Sequence, residues 1–425
     1  MTDVIVGLDV GTSKICAVIG ERNEKGGIEI TGIGIRPSTG IKQGVVVNID
    51  ATIKSILDAI ETAEDMCGYK IQRCWLGIGG GHVEGINSRG VVAITGQKRE
   101  NREIGREDVI RVIEAARAIV VPLDRQIIQT IPQSYIVDDH RGIKDPLGMI
   151  GVRLEAEIHI ITASVTSMKN LLRCVNRAGF ESNKYLLLQA LAAGRAVLTS
   201  EERECGVVLI DIGAGTTDVL VYYDGAPFST FTVPLAGNDI TKDISALKSI
   251  PFDEAERIKC EYGCCWETML EDGDDDILIK DITGRSTVSI PRSHVFRITK
   301  PRMEEIFEMV REKLDGLFLN RPLSGGVVLT GGGAQLLGIE YLADLIFDLP
   351  VRIGQPRHTD GLGGLIGECR TPAFSTAVGL ILEGDAQERD DLSDLSRKPS
   401  PQKPGPGSGP GFARRIVDWI KNGLF

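Results

Sequence analysis

The spacing of apolar residues changes along the first eighty positions. Short β-branched runs separated by glycine or polar turns predict strands at VIVGLDVG, KICAVIGE, GIEITGIGI and GVVVNI. From Ala51 to Cys67 the apolar residues recur every three to four positions, which predicts a helix with one buried and one charged face. RCWLGIGGG then predicts a strand that ends on glycines. The chain therefore opens as an α/β unit.

A different pattern begins near residue 83 and ends near residue 161. Strand-like GVVAI, helical EDVIRVIEAARAI and a turn-rich stretch predict a small inserted α/β unit. Beyond it, IHIITA predicts a strand, and the apolar spacing predicts helices at 167–178 and 186–198. We expect the first unit to be interrupted here and then to resume.

The second half of the chain repeats the opening. GVVLIDIGAGTTDVLVYY follows the scheme of VIVGLDVGTSKICAVIG about 200 residues later. One repeat at this distance predicts a duplicated domain rather than a solenoid. The predicted units are a first lobe (1–82, 162–204 and 373–389), an inserted subdomain (83–161), a second lobe (205–236 and 323–372), its subdomain (237–322), a Pro- and Gly-rich linker (390–410) and a terminal helix (411–425).

Both copies of the repeat contain a glycine-rich turn between two strands, Asp9–Lys14 and Asp211–Asp218. Glycine lets backbone N–H groups approach an anion, and small hydroxyl side chains and a lysine add donors. One such turn is also typical of a plain hairpin, but two facing copies predict a clamp on the phosphates of ATP. The predicted phosphate contacts are Gly11, Thr12, Ser13, Lys14, Gly213, Gly215, Thr216 and Thr217. Asp9 and Asp211, at the strand ends, are predicted to hold a hydrated Mg²⁺.

Two further motifs extend the predicted nucleotide site. VVLTGGGAQLLGIEYLADLI predicts a strand, a turn at Gly331, Gly332 and Gly333, and a helix whose N-terminus favours negative charge. Glu256 and Lys259 lie three positions apart on a predicted helix. Such a pair is usually a solvated ion pair, but here it is predicted to reach the ribose and adenine.

Composition narrows the class of protein. The net charge is −11, and no basic face indicates nucleic-acid binding. The nine cysteines are odd in number and match no zinc pattern, which predicts free thiols in a reducing compartment. MTDVIVGLDVG lacks the charged region of a signal peptide, and we expect no segment that spans a membrane.

The two loops and the segment 327–338, with the helical stretches Gln189–Ala196 and Ser375–Leu382, resemble the superfamily of actin, the heat-shock chaperone ATPases and the sugar kinases. The resemblance implies a duplicated two-lobed α/β fold that binds ATP. It also implies that Gln189 stands where the superfamily orients the attacking water. Because an amide is a poor base, slow hydrolysis is expected.

IGGGHVEGINSRGVVAI and YIVDDHRGIKDPLGMIGVRLEAEIHIIT resemble the FtsA family of bacterial cell-division proteins, and the similarity covers essentially the whole chain. This resemblance implies an FtsA-type inserted subdomain at 83–161. It implies a protein that tethers filaments of the tubulin-like FtsZ to the cytoplasmic side of the cell membrane at the division site, self-associates into dimers or filaments, and recruits later divisome proteins. Arg302 fits a basic position facing the acidic FtsZ tail, although an ordinary surface arginine is the alternative.

The last fifteen residues have their own pattern. Helical spacing separates an apolar side from a cationic one, which predicts a helix lying on an anionic lipid surface. The residues involved are Phe412, Arg414, Arg415, Ile416, Trp419, Ile420, Lys421 and Leu424. A helix docked on the body of the protein is the alternative.

Three other functions are compatible with the nucleotide motifs. A small-molecule kinase of the same fold needs a catalytic Asp in a substrate pocket, for which no second motif is found. A chaperone needs a β-rich peptide-binding domain, and the chain has no room for one. An MreB-like filament protein resembles the chain more closely, but the insertion that follows GIGGG in this chain has a different character.

Overall fold

The computed structural model describes residues 4–94, 103–182, 185–270, 276–280, 287–317, 322–357 and 361–396. The elements of the first part are β1 (Val4–Val10), β2 (Lys14–Arg22), β3 (Ile28–Pro37), β4 (Ile41–Lys42), β5 (Val45–Val46), α1 (Ile49–Cys67) and β6 (Trp75–Ile78). α1 begins where the Asn48 side chain accepts the N–H of Ala51, and it ends at the left-handed Gly68. GVVVNI was expected to be a strand, but only β5 forms before α1 begins.

The inserted subdomain follows as β7 (Val83–Ala93), α2 (Arg106–Arg117), β8 (Arg125–Val137), β9 (His140–Ile143) and β10 (Arg153–Ser164). Its strands form an antiparallel sheet in the order β7-β10-β8-β9. α2 buries Val109, Val112 and Ile113 against this sheet, so the subdomain has its own core. β10 continues three residues past the predicted boundary at 161.

The chain returns to the first lobe through α3 (Val165–Arg177), β11 (Leu186–Leu188), α4 (Gln189–Val197) and α5 (Ser200–Cys205). The helix predicted at 186–198 is therefore a short strand followed by a shorter helix. β11 pairs in parallel with β6, and this pairing overrides the apolar pattern that suggested a continuous helix.

The second lobe and its subdomain contain β12 (Val207–Ile212), β13 (Thr217–Tyr223), β14 (Ala226–Val233), α6 (Gly237–Lys248), α7 (Phe252–Tyr262), β15 (Asp276–Lys280), β16 (Thr287–Pro291) and α8 (Arg292–Asp315). The last elements are β17 (Val327–Thr330), α9 (Ile339–Phe347), β18 (Val351–Ile353), β19 (Leu362–Gly364) and α10 (Ser375–Ser396).

The two lobes have matching sheets. The first has the order β11-β6-β1-β2-β3-β19 and the second the order β18-β17-β12-β13-β14. In each sheet an antiparallel hairpin (β1–β2 or β12–β13) is joined in parallel to the next strand, β6 or β17. The duplication predicted from the sequence repeat is confirmed.

Two predicted boundaries are wrong. β19 was assigned to the second lobe, but it pairs in parallel with β3, and Leu362 and Ile366 are buried in the first-lobe core. The linker was expected from residue 390, but α10 continues to Ser396, because this stretch contains no Gly or Pro to end the helix. The terminal helix predicted at 411–425 lies outside the described residues.

Two helices cross closely between the lobes. A Cβ added to Gly379 of α10 would lie 1.7 Å from the carbonyl oxygen of Ala192 in α4, so the two backbones touch. α10 also lies against β1, where a Cβ on Gly7 would be 2.5 Å from the Ala377 oxygen. Glycine at these crossings permits a distance that no other residue allows.

The second half of α10 is fixed to the first lobe by charge. Arg22, at the end of β2, lies 2.5 Å from Asp385 and 3.1 Å from Glu388. Arg73 adds a second contact to Glu388 at 3.3 Å. Arg22 is largely buried, so these pairs are less screened by solvent than isolated surface pairs.

The inserted subdomain belongs to the first lobe by sequence, yet it contacts β14 of the second. The buried His159 of β10 lies 2.7 Å (Nδ1) from Asn87 Oδ1 and 2.9 Å (Nε2) from the Thr230 hydroxyl. Asn87 Nδ2 donates to the Phe228 oxygen at 2.9 Å, which orients its Oδ1 as an acceptor. The His159 Nδ1 therefore carries the proton, and its Nε2 accepts from Thr230.

This contact predicts a pH dependence of stability. Burial lowers the pKa of His159 to about 4, below the ordinary value of 6.5. The folded state then binds fewer protons, so its contribution is complete above pH 6.5 and is lost as pH falls toward 4. We expect His159→Gln, compared with the wild type, to lessen the loss of unfolding free energy between pH 7 and 5 by roughly 1–2 kcal/mol.

Chemical denaturation at several pH values measures this effect. His140→Gln, in the exposed β9 of the same subdomain, is the matched control and should keep the wild-type pH profile. Identical pH profiles for wild type and His159→Gln would contradict the prediction.

Candidate functional site

The two predicted phosphate loops have the same local structure. The backbone N–H of Gly11 donates to the Lys14 oxygen at 3.0 Å, and that of Gly213 donates to the Thr216 oxygen at 3.0 Å. Each bond closes the turn of an antiparallel hairpin, β1–β2 in one lobe and β12–β13 in the other. The repeat in the sequence therefore corresponds to two equivalent turns.

The two loops meet across the cleft between the lobes. A Cβ on Gly215 would lie 2.7 Å from the Thr12 hydroxyl oxygen and 3.0 Å from the Gln43 Cα. Thr12 is fixed, because its hydroxyl oxygen accepts the N–H of Gly44 at 3.1 Å. Gln43 Nε2 also donates across the cleft to the Pro234 oxygen at 3.2 Å.

Three carboxylates line the space behind the loops. Burial raises the pKa of Asp9 and of Asp218. Burial, followed by repulsion from Asp218 and Asp9, raises the pKa of Asp211 to about 7. Crowded buried carboxylates of this kind are stabilised by a cation.

Each of these carboxylates is oriented by a neighbour. Gln189 Nε2, at the start of α4, donates to Asp9 at 2.8 Å. The Thr376 hydroxyl, at the start of α10, donates to Asp211 at 3.3 Å. The two interlobe helices thus hold one carboxylate of each lobe.

Asp218 has partners of its own. The hydroxyls of Thr232 and Thr216 donate to it at 2.6 and 3.1 Å, and the nearby backbone of Gly80 acts with them to lower its pKa against the effect of burial. Asp218 stood within the predicted loop without a role of its own. Its partner Gly80 comes from the glycine run after β6, a contact that no local pattern predicts.

The residues present fit a magnesium nucleotide. Gly331 has φ +82°, and a Cβ there would lie 2.3 Å from Asp211 Oδ1. Because glycine has no side chain, the Asp211 carboxylate stays uncovered on this side. In the part of the chain that the structure describes, no group of three or more His, Cys, Asp or Glu side chains is arranged to hold a metal alone. Mg²⁺ takes one or two carboxylates and completes its shell with phosphates and water, which agrees with Asp9 and Asp211 as its protein ligands.

Not every predicted loop side chain faces the cleft. Lys14 Nζ donates to the Ala373 oxygen at 2.6 Å and lies 4.5 Å from the centre of the Phe374 ring, so it already links the first loop to the segment before α10. Ser13 is exposed. Thr217 is fully buried, and its hydroxyl donates to the Leu235 oxygen at 2.8 Å. The hydroxyl of Thr217 therefore points into the core rather than toward the cleft.

The three-glycine turn also differs from the prediction. Gly332–Gln335 form a single 3₁₀ turn, and α9 begins only at Ile339. Extended Leu336 and left-handed Gly338 interrupt the helix, so no α-helix N-terminus adjoins the glycines. A Cβ on Gly333 would lie 2.3 Å from Ile212 Cγ2, whereas one on Gly332 meets no atom within 4 Å. Gly332 alone borders open space.

Glu256 and Lys259 form an ion pair on α7, 2.7 Å apart. Lys259 is buried and also donates to the Thr241 hydroxyl at 3.0 Å and to the Gly237 oxygen at 3.3 Å. Burial opposes the ionised form of Glu256, but Lys259 and Thr241 outweigh it and lower the pKa of Glu256. Because the Gly237 N–H donates to the Gly213 oxygen at 3.1 Å, the pair lies behind the second phosphate loop.

The predicted partner site lies on α8. Arg302 makes a two-pronged contact with Asp243 of α6, at 2.6 and 3.0 Å, and a further one with Glu305. These carboxylates raise the pKa of Arg302. None of the described helices is both long enough and apolar enough to cross a membrane.

Comparison with known proteins follows the same division of the chain. The family described as "Cell division protein FtsA" matches residues 208–379, and "SHS2 domain inserted in FTSA" matches residues 80–162. The cell division protein FtsA of Borreliella burgdorferi is 45% identical over 387 residues, covering 91% of this chain and 92% of that one. The chain belongs to the FtsA family. This FtsA-family chain is an actin-like cell-division protein, as its motifs implied.

Solved structures agree on the fold. The type IV pilus biogenesis complex PilM-PilN has a TM-score of 0.64 at 18% identity, covering 90% of this chain and 98% of that one. MreB5 of Spiroplasma citri, bound to ADP, has a TM-score of 0.53 at 16% identity, covering 93% and 99%. At these identities the similarity establishes the actin-like fold of this FtsA-family member and nothing finer.

Proposed function

We propose that the facing loops bind ATP with Mg²⁺ and that the bound nucleotide controls assembly. The contact of Gly215 with Thr12 carries the proposal, because it brings two equivalent glycine turns from different lobes to one point. Backbone N–H groups in such turns bind phosphate oxygens, and Asp9 and Asp211 supply the charge for the metal. MreB5, which shares the fold, was solved with ADP bound.

Hydrolysis in this site is slow. Gln189, which donates to Asp9, and Asp218, which accepts from Thr232, orient the attacking water. An amide does not remove a proton, so any base would be the half-buried Asp218. The site therefore works mainly as a conformational switch.

The chain anchors FtsZ filaments to the cytoplasmic face of the bacterial inner membrane at the division site. The cationic and apolar sides of residues 411–425 support a lipid-binding helix. Arg302 contacts the acidic FtsZ tail, and a tail carboxylate has to replace Asp243 there. Self-association into dimers or filaments adds avidity to weak single contacts, and the assembled form recruits later divisome proteins.

Vesicle co-sedimentation tests this proposal. The full chain is mixed with anionic vesicles, ATP and a peptide of the FtsZ tail. We expect the protein and the peptide to sediment with the lipid. Deletion of residues 411–425 should lower the lipid-bound fraction at least about tenfold while ATP binding persists.

Two controls sharpen the test. Trp419→Phe keeps the apolar side and should still sediment, whereas Trp419→Glu should not. A full-length chain that binds neither lipid nor peptide would exclude the anchor function. A truncated chain that still sediments would exclude residues 411–425 as the lipid-binding segment. A small-molecule kinase of the same fold would lose no important activity when residues 411–425 are deleted.

A further inference from the structure

The glycine run after β6 forms one wall of the nucleotide cleft. A Cβ on Gly79 would lie 2.1 Å from the Gln189 side-chain oxygen. The next residue, Gly80, lies beside Asp218, because its oxygen is 3.4 Å from the Thr232 hydroxyl that donates to Asp218 at 2.6 Å. A Cβ on Gly81 meets no atom within 4 Å. The run therefore lies beside both residues proposed to orient the attacking water, Gln189 and Asp218, and its last residue, Gly81, borders open space.

A β-turn joins this wall to the inserted subdomain. The Val83 N–H donates to the Gly80 oxygen at 3.0 Å, which makes Gly81 and His82 the central residues of the turn. The His82 oxygen accepts from Arg125 at 3.2 Å and from the Ser164 N–H at 3.3 Å. His82 thus touches the start of β8 and the end of β10 and directly precedes β7. All three long strands of the inserted subdomain begin or end at this residue.

The side chain of His82 has no role in holding this turn. Both ring nitrogens are buried, and neither has a hydrogen-bond partner among the described residues. The ring packs back against the glycine run, since Nδ1 lies 3.7 Å from where a Cβ on Gly80 would be. Burial, with Arg125 nearby, lowers the pKa of His82 to about 4, so the neutral ring offers one donor and one acceptor.

The hydroxyl of Thr232, beside the turn, has two possible hydrogen-bond acceptors. Its hydroxyl oxygen is 2.6 Å from Asp218 and 3.4 Å from the Gly80 oxygen. One hydroxyl proton serves one acceptor at a time, and Asp218 holds it at the shorter distance. A new donor to Asp218, such as a water beside a terminal phosphate, competes with Thr232 and favours the bond to Gly80. The position of the turn then depends on what occupies the cleft.

We propose that His82 is a positioning residue that couples the terminal phosphate of the nucleotide to the attachment of the inserted subdomain. The inference rests on the proposed binding of ATP at the facing loops. With ATP, the turn moves toward the cleft and the ring of His82 gains a hydrogen-bond partner on the phosphate side. With ADP that partner is absent, and the ends of β7, β8 and β10 that meet at His82 become less ordered.

Nucleotide affinity and hydrogen exchange test this coupling in the full-length chain. The affinities for ATP and ADP are measured by displacement of a fluorescent nucleotide, and deuterium uptake is followed in β7 and β10. We expect His82→Leu to weaken ATP binding about tenfold with ADP binding unchanged. The ATP-dependent protection of β7 and β10 should disappear in the same variant.

Two variants separate positioning from a structural role. His82→Asn keeps a polar group near Nδ1 and should restore the preference for ATP to within about threefold. Thr232→Val removes the shared proton at nearly equal volume and should reduce the preference as His82→Leu does. His140→Leu, in the exposed β9, is the control expected to match the wild type.

The outcomes are distinct. An unchanged ratio of ATP to ADP affinity in both His82→Leu and Thr232→Val overturns the inference and leaves the proposed function standing. A wild-type chain that binds neither nucleotide overturns both. If His82→Leu does not fold, an unchanged ratio in Thr232→Val alone overturns the inference, and a reduced ratio supports it.

Discussion

Gly215→Val is expected to lower the affinity for ATP at least about 100-fold while the chain remains folded. Alanine at this position would already place its Cβ 2.7 Å from the Thr12 hydroxyl and 3.0 Å from the Gln43 Cα. Thr12 cannot turn away without losing the N–H of Gly44. The added side chain therefore forces the two loops apart, and neither loop alone surrounds the phosphates. Isothermal titration with ATP and Mg²⁺ measures the loss.

The control uses another glycine with free space around it. A Cβ on Gly367 meets no atom within 4 Å, so Gly367→Val should bind ATP like the wild type. Gly215→Ala should give an intermediate affinity. Wild-type affinity in Gly215→Val would mean that the loops do not form the nucleotide site.

Gly379→Ala is expected to destabilise the folded protein strongly, although it adds only one methyl group. Its Cβ would lie 1.7 Å from the Ala192 carbonyl oxygen, and because the opposing atom belongs to the backbone, two helices must separate. Alanine gains about 1 kcal/mol of helix propensity over glycine, but overpacking of this severity exceeds it. We expect a net loss of about 2–3 kcal/mol in the free energy of unfolding, measured by denaturant titration.

This substitution should also affect the proposed nucleotide site. α4 carries Gln189 and α10 carries Thr376, which orient the carboxylates of the first and second lobe. Separating the helices moves these contacts, so ATP binding should weaken together with stability. Gly367→Ala is the matched control, expected to change neither. A stable Gly379→Ala variant would show that the crossing is looser than described.

The sequence predicted the parts of the site that depend on local pattern. The repeat located both loops, and their Gly, Thr and Asp residues lie where the two lobes meet. Hydroxyl direction was not predictable: Thr216 donates to Asp218, whereas the adjacent Thr217 points into the core toward Leu235. Alternation along a strand sends neighbours to opposite faces, but only the tertiary structure decides which face is the cleft.

Long-range pairing caused the errors in the fold. β19, which contains Leu362, pairs with β3 across more than 300 residues of sequence, and the local spacing of apolar residues does not predict such a partner. The apolar stretch at 186–198 suits a helix or a buried strand equally well, and pairing with β6 decides it. The same limit concealed Gly80, whose oxygen accepts from the Thr232 hydroxyl at 3.4 Å and so joins the start of the inserted subdomain to the second lobe.

The salt bridges of Arg22 with Asp385 and Glu388 determine how mechanical tension would enter the molecule. A pull on the chain beyond Ser396 acts along α10, and these pairs transfer it to the end of β2 before it reaches the helix crossing at Gly379. The first-lobe sheet therefore bears the strain in shear, across several strands at once. The cleft between the lobes is therefore shielded from such a pull, because the load leaves α10 before it reaches the two facing loops.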